Sequence, residues 1–298
     1  MRSMLMALGA CCAAAALLGA PAPPREQKLV YPSNRTGKPQ IFVMRPDGSG
    51  ATNLTDKDCQ DTDPAWSPDG KKIAFASDRS GTVCIYVMDP EGKHVKQLTD
   101  EQVPDRAPAW SPDGKKIAFC RNVGNSNPEI FVMDADGSNP TNLTNDAAYD
   151  ADPAWSPDGK KIAFASNRAG TGFRLYVMDA DGKNVKDVSK TDNNYGYVYP
   201  AWSPDGKHIA YAESVKDGVE VFVCDPDGGH KKQLTKLGGR NSLAAWSPDG
   251  KKIAFQHVNA GDSVGTLHIM DADGGHPREV SGVEGPAEGG RPAWAPKK

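Results

Sequence analysis

One segment of the chain matches the nucleophile motif of serine hydrolases. Gly261-Asp262-Ser263-Val264-Gly265 fits the pattern Gly-x-Ser-x-Gly, in which a serine on a tight turn between a strand and a helix attacks an ester or amide carbonyl. The residues that follow read Thr-Leu-His-Ile-Met-Asp, which is a strand pattern and not a helix. The segment is therefore interpreted as a loop between two strands, and Ser263 is not predicted to be a nucleophile.

The histidines and cysteines form no metal-binding or catalytic pattern. No two histidines are spaced as His-x-x-x-His or His-Glu-x-x-His, and no two cysteines have the Cys-x-x-Cys spacing of zinc sites. Cys120 and Cys224 fall within strand patterns and are expected to be small buried residues. The sequence thus predicts no metal, no cofactor and no enzyme active site.

Tyrosine, arginine and aspartate residues in the variable segments point to binding rather than catalysis. Tyr and Arg are frequent anchors of protein interfaces. The aspartates at equivalent places, and the arginines of a shared Ser-[Asn/Asp]-Arg-x-Gly pattern, have a second interpretation. In it the carboxylates only cap turns and the arginines only brace loops, and both interpretations stay open. The predicted partner-binding residues are Tyr195, Tyr197, Arg240, Arg291, Asp61, Asp105, Asp150, Arg35, Arg79 and Arg168.

The N-terminus and the overall charge restrict where the chain works. Residues 1–22 have one arginine, an apolar run and a small-residue end, which is the pattern of a secretory signal. The segment Leu8-Gly9-Ala10-Cys11 resembles a lipobox, so a lipid anchor on Cys11 is an alternative. The net charge of −3 does not favour binding to nucleic acid or an anionic membrane. The sequence predicts a periplasmic or secreted monomer with no membrane span once the signal is removed.

A repeat must position the candidate binding residues. The segment Pro-Ala-Trp-Ser-Pro-Asp-Gly-Lys-Lys-Ile-Ala-Phe, or a close variant or fragment of it, occurs six times and contains all six tryptophans. A period of 40–50 residues is typical of solenoids and β-propellers. The tryptophans, at spacings of 44, 45, 47, 44 and 48, are Trp66, Trp110, Trp155, Trp202, Trp246 and Trp294.

Each repeat is predicted to form four antiparallel strands. Ser-Pro-Asp-Gly is a tight turn, and Lys-Lys-Ile-Ala-Phe-Ala-Ser is a strand with large residues on one face and small residues on the other. A Tyr-Val-Met-Asp strand, an Asp-Gly turn and a short Gln-Leu-Thr or Asn-Leu-Thr strand follow. The predicted fold is an all-β, six-bladed β-propeller over residues 23–298. Because the sixth repeat stops after its tryptophan strand, one blade should combine both ends of the chain and close the ring.

The predicted strand order divides the loops between two faces. The Ser-Pro-Asp-Gly and Asp-Gly turns lie on one face, which we call the turn face. The loops between the second and third strands and the loops between repeats lie on the other, which we call the variable face because its sequence and length differ between repeats. Loops on a rigid scaffold are where function tends to lie. The repeated tryptophans and methionines are expected to be structural, since every repeat needs them in the same packing role.

The tandem unit resembles the TolB-type β-propeller repeat of bacterial envelope proteins. The resemblance extends from Lys28 to Lys298 and rests on the recurrence of Pro-Ala-Trp-Ser-Pro-Asp-Gly-Lys-Lys-Ile-Ala-Phe, Tyr-Val-Met-Asp-x-Asp-Gly and Leu-Thr. It implies a six-bladed propeller and an envelope protein or peptide as partner, such as a peptidoglycan-associated lipoprotein. TolB also carries an α/β domain before its propeller, for which the residues between the predicted signal and the first strand leave no room.

We therefore expect a non-catalytic propeller that binds a protein or peptide on its variable face at the mouth of the central channel. A structural or lipid-anchored envelope scaffold is one alternative. A hydrolase or lyase with its site in the channel is another. It would require converging His, Glu or Arg side chains, which the repeated inner-strand motif does not provide.

Overall fold

The computed structural model describes residues 27–56, 58–100, 102–124, 127–170, 172–189, 198–280 and 290–297. The predicted signal, Cys11, Tyr195 and Tyr197 lie outside these ranges. Within them the chain forms strands and turns and no helix. Accordingly, no helix in this part of the chain has the length and apolar character needed to span a membrane.

The described residues form 24 strands in the repeating order that the sequence predicts. Strands β1 to β12 are Leu29–Ser33, Gln40–Met44, Thr52–Asn53, Asp61–Trp66, Ile73–Ser77, Cys84–Met88, Lys96–Gln97, Asp105–Trp110, Lys116–Val123, Asn127–Asp134, Thr141–Asn142 and Asp150–Trp155. Strands β13 to β24 are Lys161–Ser166, Arg174–Asp179, Lys186–Asp187, Ala201–Trp202, Ile209–Val215, Gly218–Cys224, Lys232–Gln233, Gly239–Trp246, Lys252–Val258, Thr266–Asp271, Arg278–Glu279 and Ala293–Trp294.

The strands pair into antiparallel four-stranded units. Four sheets have the orders β24-β1-β2-β3, β4-β5-β6-β7, β8-β9-β10-β11 and β12-β13-β14-β15. The fifth sheet has eight strands and consists of the units β16 to β19 and β20 to β23, which a short parallel pairing of β18 with β20 joins. The innermost strands β4, β8, β12, β16, β20 and β24 contact one another in a closed cycle.

Both ends of the described chain meet in one sheet. Leu29 pairs with Trp294 and Val30 with Ala293, so the last strand completes the sheet that the first three strands begin. This is the closing pairing that the truncated sixth repeat predicts. It leaves no unpaired inner edge at the junction of the two ends.

Neighbouring sheets pack face to face through residues of unequal size. Ile73 and Phe75 of β5 are fully buried against Val30 and Ile41 of the sheet that holds both chain ends. Ala76, on the opposite face of β5, packs against Phe119 of the next sheet. The predicted alternation of large and small residues therefore lets wedge-shaped sheets fit together around the axis.

The fourth strand of each unit is shorter than the sequence predicts. It has two residues, and in four of the units a Leu-Thr pair follows it. The reason is that the threonine hydroxyl replaces a backbone acceptor: Thr55 Oγ1 accepts the amide of Ile41 at 2.9 Å, and Thr99 Oγ1 accepts that of Ile85 at 3.0 Å. A side-chain hydroxyl can satisfy a backbone group in this way and end the strand without leaving the amide unpaired.

The turn face is built from repeated local hydrogen bonds. In the Ser-Pro-Asp-Gly turn, the Ser67 hydroxyl donates to the Asp69 carboxylate at 2.7 Å and accepts the amide of Lys72 at 2.9 Å. In the following Asp-Gly turn, Gly92 has φ +77° and lies against the carbonyl of Leu54 in the preceding sheet. A Cβ at Gly92 would come within 2.3 Å of that oxygen, so glycine is required for close contact between sheets.

The repeated tryptophans link adjacent inner strands. Trp110 donates its indole N–H to the carbonyl of Ala65 at 3.2 Å, and Trp202 donates to that of Ala154 at 3.1 Å. The indole nitrogen of Trp155 is buried and has no hydrogen-bond partner. This location agrees with a structural role for the repeated tryptophan.

Comparing a tryptophan whose indole N–H is hydrogen-bonded with one whose indole N–H is not tests whether this hydrogen bond stabilises the fold. We expect Trp110→Phe to lower the free energy of unfolding by about 1 kcal/mol more than Trp155→Phe, because only the first substitution removes a hydrogen bond between strands. Urea unfolding of both variants measures the difference. Equal losses would contradict a stabilising role for the bond.

Candidate binding site in the central channel

A β-bulge interrupts four of the six inner strands at the residue before the Pro-Ala-Trp or Ala-Ala-Trp segment. The register shifts between Thr62 and Ala65, and equivalent shifts occur in β8, β12 and β20. The bulged residue has a left-handed backbone, which is uncommon for residues other than glycine. Its φ is 52° at Asp63, 51° at Ala107, 56° at Asp152 and 58° at Leu243. Tyr199, at the same place in its repeat just before β16, also has a left-handed backbone with a φ of 44°.

The bulged positions form a ring inside the propeller, which we call the channel ring. Because inner strands run from the variable face to the turn face, and the bulge is at the third of six residues in β4, the ring lies nearer the variable face. The repeat that ends the chain contributes Arg291 at the same place in its motif. The channel ring consists of Asp63, Ala107, Asp152, Tyr199, Leu243 and Arg291.

The channel encloses a cavity of about 260 Å³. Five members of the channel ring line it, together with alanines, prolines and tryptophans of the inner strands. The wall is therefore mostly apolar, with two carboxylates and one guanidinium group. A concave apolar cavity with a few converging polar groups is the usual form of a binding site.

The charged members of the channel ring influence one another. Burial raises the pKa of Asp152 to about 6, while Arg291 lowers it and Asp63 raises it further. Burial also raises the pKa of Asp63, and Arg291 and Arg106 act against that rise. Burial raises the pKa of Tyr199, again with Asp152 adding to the rise. A desolvated, charge-coupled group in a cleft is a candidate functional residue.

Arg291 has an unsatisfied donor. Its Nη2 is buried and has no hydrogen-bond partner. The predicted binding residue Arg291 is thus located in the channel and not only at its mouth.

Three predicted binding aspartates are buried and face arginines of their own sheets. Arg79 Nη2 donates to Asp61 Oδ1 at 2.8 Å, and Arg168 Nη2 donates to Asp150 Oδ2 at 2.9 Å. Asp61 and Asp150 have no exposed surface. These contacts fit the interpretation in which the arginines hold the loops in place. Partner binding by the same residues stays a prediction.

The sheet between them uses an arginine that the shared pattern does not include. Arg121 lies within β9 and donates through Nε and Nη2 to both oxygens of Asp105, at 2.8 and 2.7 Å. The hydrogen bond to Asp105 raises the pKa of Arg121. Its guanidinium carbon also lies 5.2 Å from the ring centre of Phe119. Arg79 and Arg168 lie over aromatic rings in the same manner.

Two further predicted binding residues have other surroundings. Arg35 donates to the Tyr31 hydroxyl at 2.6 Å and lies 4.5 Å from the ring centre of Phe42, without a buried aspartate. Arg240 belongs to β20, next to Val219 in the parallel pairing, and is close enough to Tyr199 to lower its pKa.

Exposed large apolar residues are concentrated on the variable face. Among the described residues they are 39–51% exposed. Strand direction places four of them on the variable face, and Val95 alone on the turn face. The four are Val123, Tyr149, Leu237 and Val264.

Other motifs show no catalytic geometry in the described residues. Ser263 is exposed in the loop between β21 and β22, and a strand follows it, as the sequence predicts. The described part of the chain also brings together no group of three His, Cys, Asp or Glu residues that could hold a metal ion. Cys59, Cys84, Cys120 and Cys224 are buried and form no disulfide bond within the described residues.

A model of the TolB beta propeller domain matches residues 10–105 and 100–298 of the chain. The chain belongs to this family. Comparison with curated protein sequences gives no significant match.

Solved structures resemble this TolB-type propeller over most of its length. TolB from Acinetobacter baumannii is 28% identical with a TM-score of 0.76, over 91% of this chain and 67% of that one. The α/β domain that TolB carries before its propeller is not part of the match. A structure described as TolB from Agrobacterium tumefaciens is 22% identical with a TM-score of 0.70, over 88% and 91%.

A third structure shares the fold alone. A chain of the nidogen/laminin complex is 11% identical with a TM-score of 0.71, over 91% of this chain and 99% of that one. The TolB-type propeller therefore shares its architecture with proteins of distant sequence.

The partner-binding residues predicted from the sequence include Arg291 but not Asp63, Asp152 or Tyr199. The repeat nevertheless contains a pattern that marks these positions. The residue before Pro-Ala-Trp or Ala-Ala-Trp changes from Asp to Ala, Tyr, Leu or Arg, whereas the residues after it are nearly constant. The bulge turns this changing position toward the channel, and this brings two aspartates and Arg291 together there.

The buried ion pairs should matter for stability. We expect Arg79→Ala to lower the free energy of unfolding by about 3–5 kcal/mol, because it leaves Asp61 buried without its charge partner. The double variant with Asp61→Ala should recover part of that loss. Urea unfolding measures both, and an effect of Arg79→Ala below about 1 kcal/mol would contradict a buried pair.

Asp152 should destabilise the protein at neutral pH. A carboxyl whose pKa rises from about 3.9 to about 6 on folding loses stability as the pH rises through this window, by up to about 3 kcal/mol. Asp152→Asn should thus be more stable than the unmodified protein at pH 7, and the difference should vanish below about pH 3. Unfolding experiments across this pH range measure it, and a constant difference would contradict the raised pKa.

Proposed function

We propose that this TolB-type propeller is a non-catalytic binding protein of the bacterial envelope, with its partner on the variable face at the channel mouth. The supporting observation is the difference between the two faces. The turn face consists of repeated hydrogen-bonded turns. Of the five exposed large apolar side chains among the described residues, four lie on the variable face, which is also nearer the channel ring. Exposed apolar residues beside charged groups are typical of interaction surfaces.

The proposal includes six blades around the channel. We count the eight-stranded sheet as two blades, because it contains two complete four-stranded units joined only through Gly218, Val219, Gly239 and Arg240. The remaining four sheets contribute one blade each. Together with the closed cycle of inner strands, this supports the six-bladed count.

The partner class is an envelope protein or peptide, and a peptidoglycan-associated lipoprotein is our first candidate. The family supports this choice, because the TolB structure from Acinetobacter baumannii matches over 91% of the chain. We further propose a periplasmic or secreted monomer, while a lipid on Cys11 stays a prediction that concerns residues outside the described ranges.

A non-catalytic role is part of the same proposal. A puromycin-hydrolysing peptidase of Mycobacterium tuberculosis has a related fold, at 15% identity and a TM-score of 0.61 over 85% of this chain and 42% of that one. The channel ring contains no Ser, Cys or His, so it does not provide a nucleophile and base of the serine- or cysteine-hydrolase type.

Valine substitutions on the two faces test the surface. We expect Val264→Ser to weaken binding of the peptidoglycan-associated lipoprotein from the same bacterium five- to thirtyfold, because interface apolar contacts contribute about 1–2 kcal/mol each. Val95→Ser is the matched control on the turn face and should not change binding. Leu237→Ser is a second variable-face variant.

Isothermal titration calorimetry measures the dissociation constants, and circular dichroism checks that the variants fold. Equal weakening by Val95→Ser and Val264→Ser would contradict the face assignment. Absence of binding by the unmodified protein would reject this partner.

A further inference from the structure

The charged groups of the channel ring are not satisfied by one another. The carboxylate of Asp152 makes no hydrogen bond or ion pair within the described residues, although Arg291 is close enough to lower its pKa. Arg291 Nη2 is buried without an acceptor. Buried charged groups are normally paired, because leaving them unpaired costs stability. The cavity thus presents an open acceptor and an open donor at the same time.

These groups lie on opposite sides of the channel. In the closed cycle of inner strands, β12 with Asp152 is separated from β24 with Arg291 by β4 and β8 in one direction and by β16 and β20 in the other. Asp63, on β4, lies beside Arg291 in this order and interacts with both charged residues. A ligand that meets all three groups must carry a negative and a positive end.

We propose that the channel ring binds a small zwitterion of amino-acid size. Its carboxylate contacts the Arg291 guanidinium, and its ammonium group contacts the carboxylates of Asp63 and Asp152. Arginine recognises carboxylates through paired N–H donors, and hydrogen bonds between charged groups are about twice as strong as neutral ones. The alanine, proline and tryptophan wall contacts the apolar part of the ligand.

The size of the cavity limits the ligand. A volume of about 260 Å³ equals that of about nine water molecules at about 30 Å³ each. This accommodates a free amino acid with a small aliphatic side chain. Leu243 and Ala107 contribute apolar positions to the channel ring, so the ligand side chain can turn toward them without burying a polar group.

Simpler ligands fit the charges less well. A lone metal cation would share the cavity with the positive Arg291, and the described residues form no cluster of three metal-ligating side chains. A lone anion would face two carboxylates. A zwitterion places an opposite charge next to each of the three groups.

Binding of single amino acids and of their separate charged halves tests the proposal. The probes are glycine, L-alanine, D-alanine, acetate, ethylammonium chloride, calcium chloride and L-alanyl-L-alanine, titrated into the purified protein at pH 7.5 by calorimetry. We expect saturable binding of at least one of the three amino acids, at least tenfold tighter than that of acetate or ethylammonium.

Variants assign the binding to the channel ring. Asp152→Ala and Arg291→Ala should each weaken amino-acid binding at least tenfold. Alanine can adopt the backbone conformation of Asp152, because Ala107 occupies the equivalent bulge with a φ of 51°. Val95→Ser, which changes the distant turn face, should leave the affinity unchanged.

Several outcomes would overturn the inference. The first is that none of the three amino acids binds, or that only calcium or the dipeptide binds. The second is that acetate or ethylammonium binds as tightly as the amino acids. The third is that Asp152→Ala and Arg291→Ala both leave the affinity for the amino acid unchanged. The inference is independent of the proposed protein partner, since the Val264→Ser variant should retain amino-acid binding.

Discussion

The left-handed bulge in the inner strands is the constraint on which the candidate site depends. A residue other than glycine in this conformation is disfavoured by about 1–2 kcal/mol, so the surrounding structure must hold it there. The strand pairings on both sides of the bulge and the tryptophan after it supply that support. The bulge separates two tasks within one strand, because the residues after it pack between strands and the bulged residue itself faces the channel.

The aspartates of the inner strands also fall into two groups. Some form ion pairs that stabilise the sheets, and others face the channel, where a ligand can reach them. The carboxylates of Asp61, Asp105 and Asp150 are bound by arginines of their own sheets, so their charges stabilise the scaffold. Asp152 is two residues after Asp150 in the same strand, yet it faces the channel without such a partner. Neighbouring acidic residues can thus have opposite roles, decided by which side of the strand they occupy.

Much of the fold could be predicted from the sequence, because the same turn and strand patterns recur from repeat to repeat and therefore support one another. The Ser-Pro-Asp-Gly turns, the large-and-small alternation at Ile73 to Ala76 and the closing pair Leu29 with Trp294 follow from local chemistry and from the truncated last repeat. The site could not be predicted to the same degree. A bulge breaks the simple alternation of strand faces, so the direction of Asp63 and Asp152 cannot be obtained from spacing. Arg121 was missed because it reaches Asp105 from within a strand, outside the loop pattern of Arg79 and Arg168.

The central claim is that the channel holds the desolvated carboxylate of Asp152, which makes no ion pair within the described residues, at a bulged position. The most direct measurement is a carbon-13 nuclear magnetic resonance titration of the aspartate side-chain carboxyls, with the Asp152 signal assigned by its loss in an asparagine variant. The account predicts that this signal titrates near pH 6, well above the usual value of about 3.9. A midpoint below about pH 4.5 would mean that Asp152 is solvated or paired, and would contradict the account of the channel.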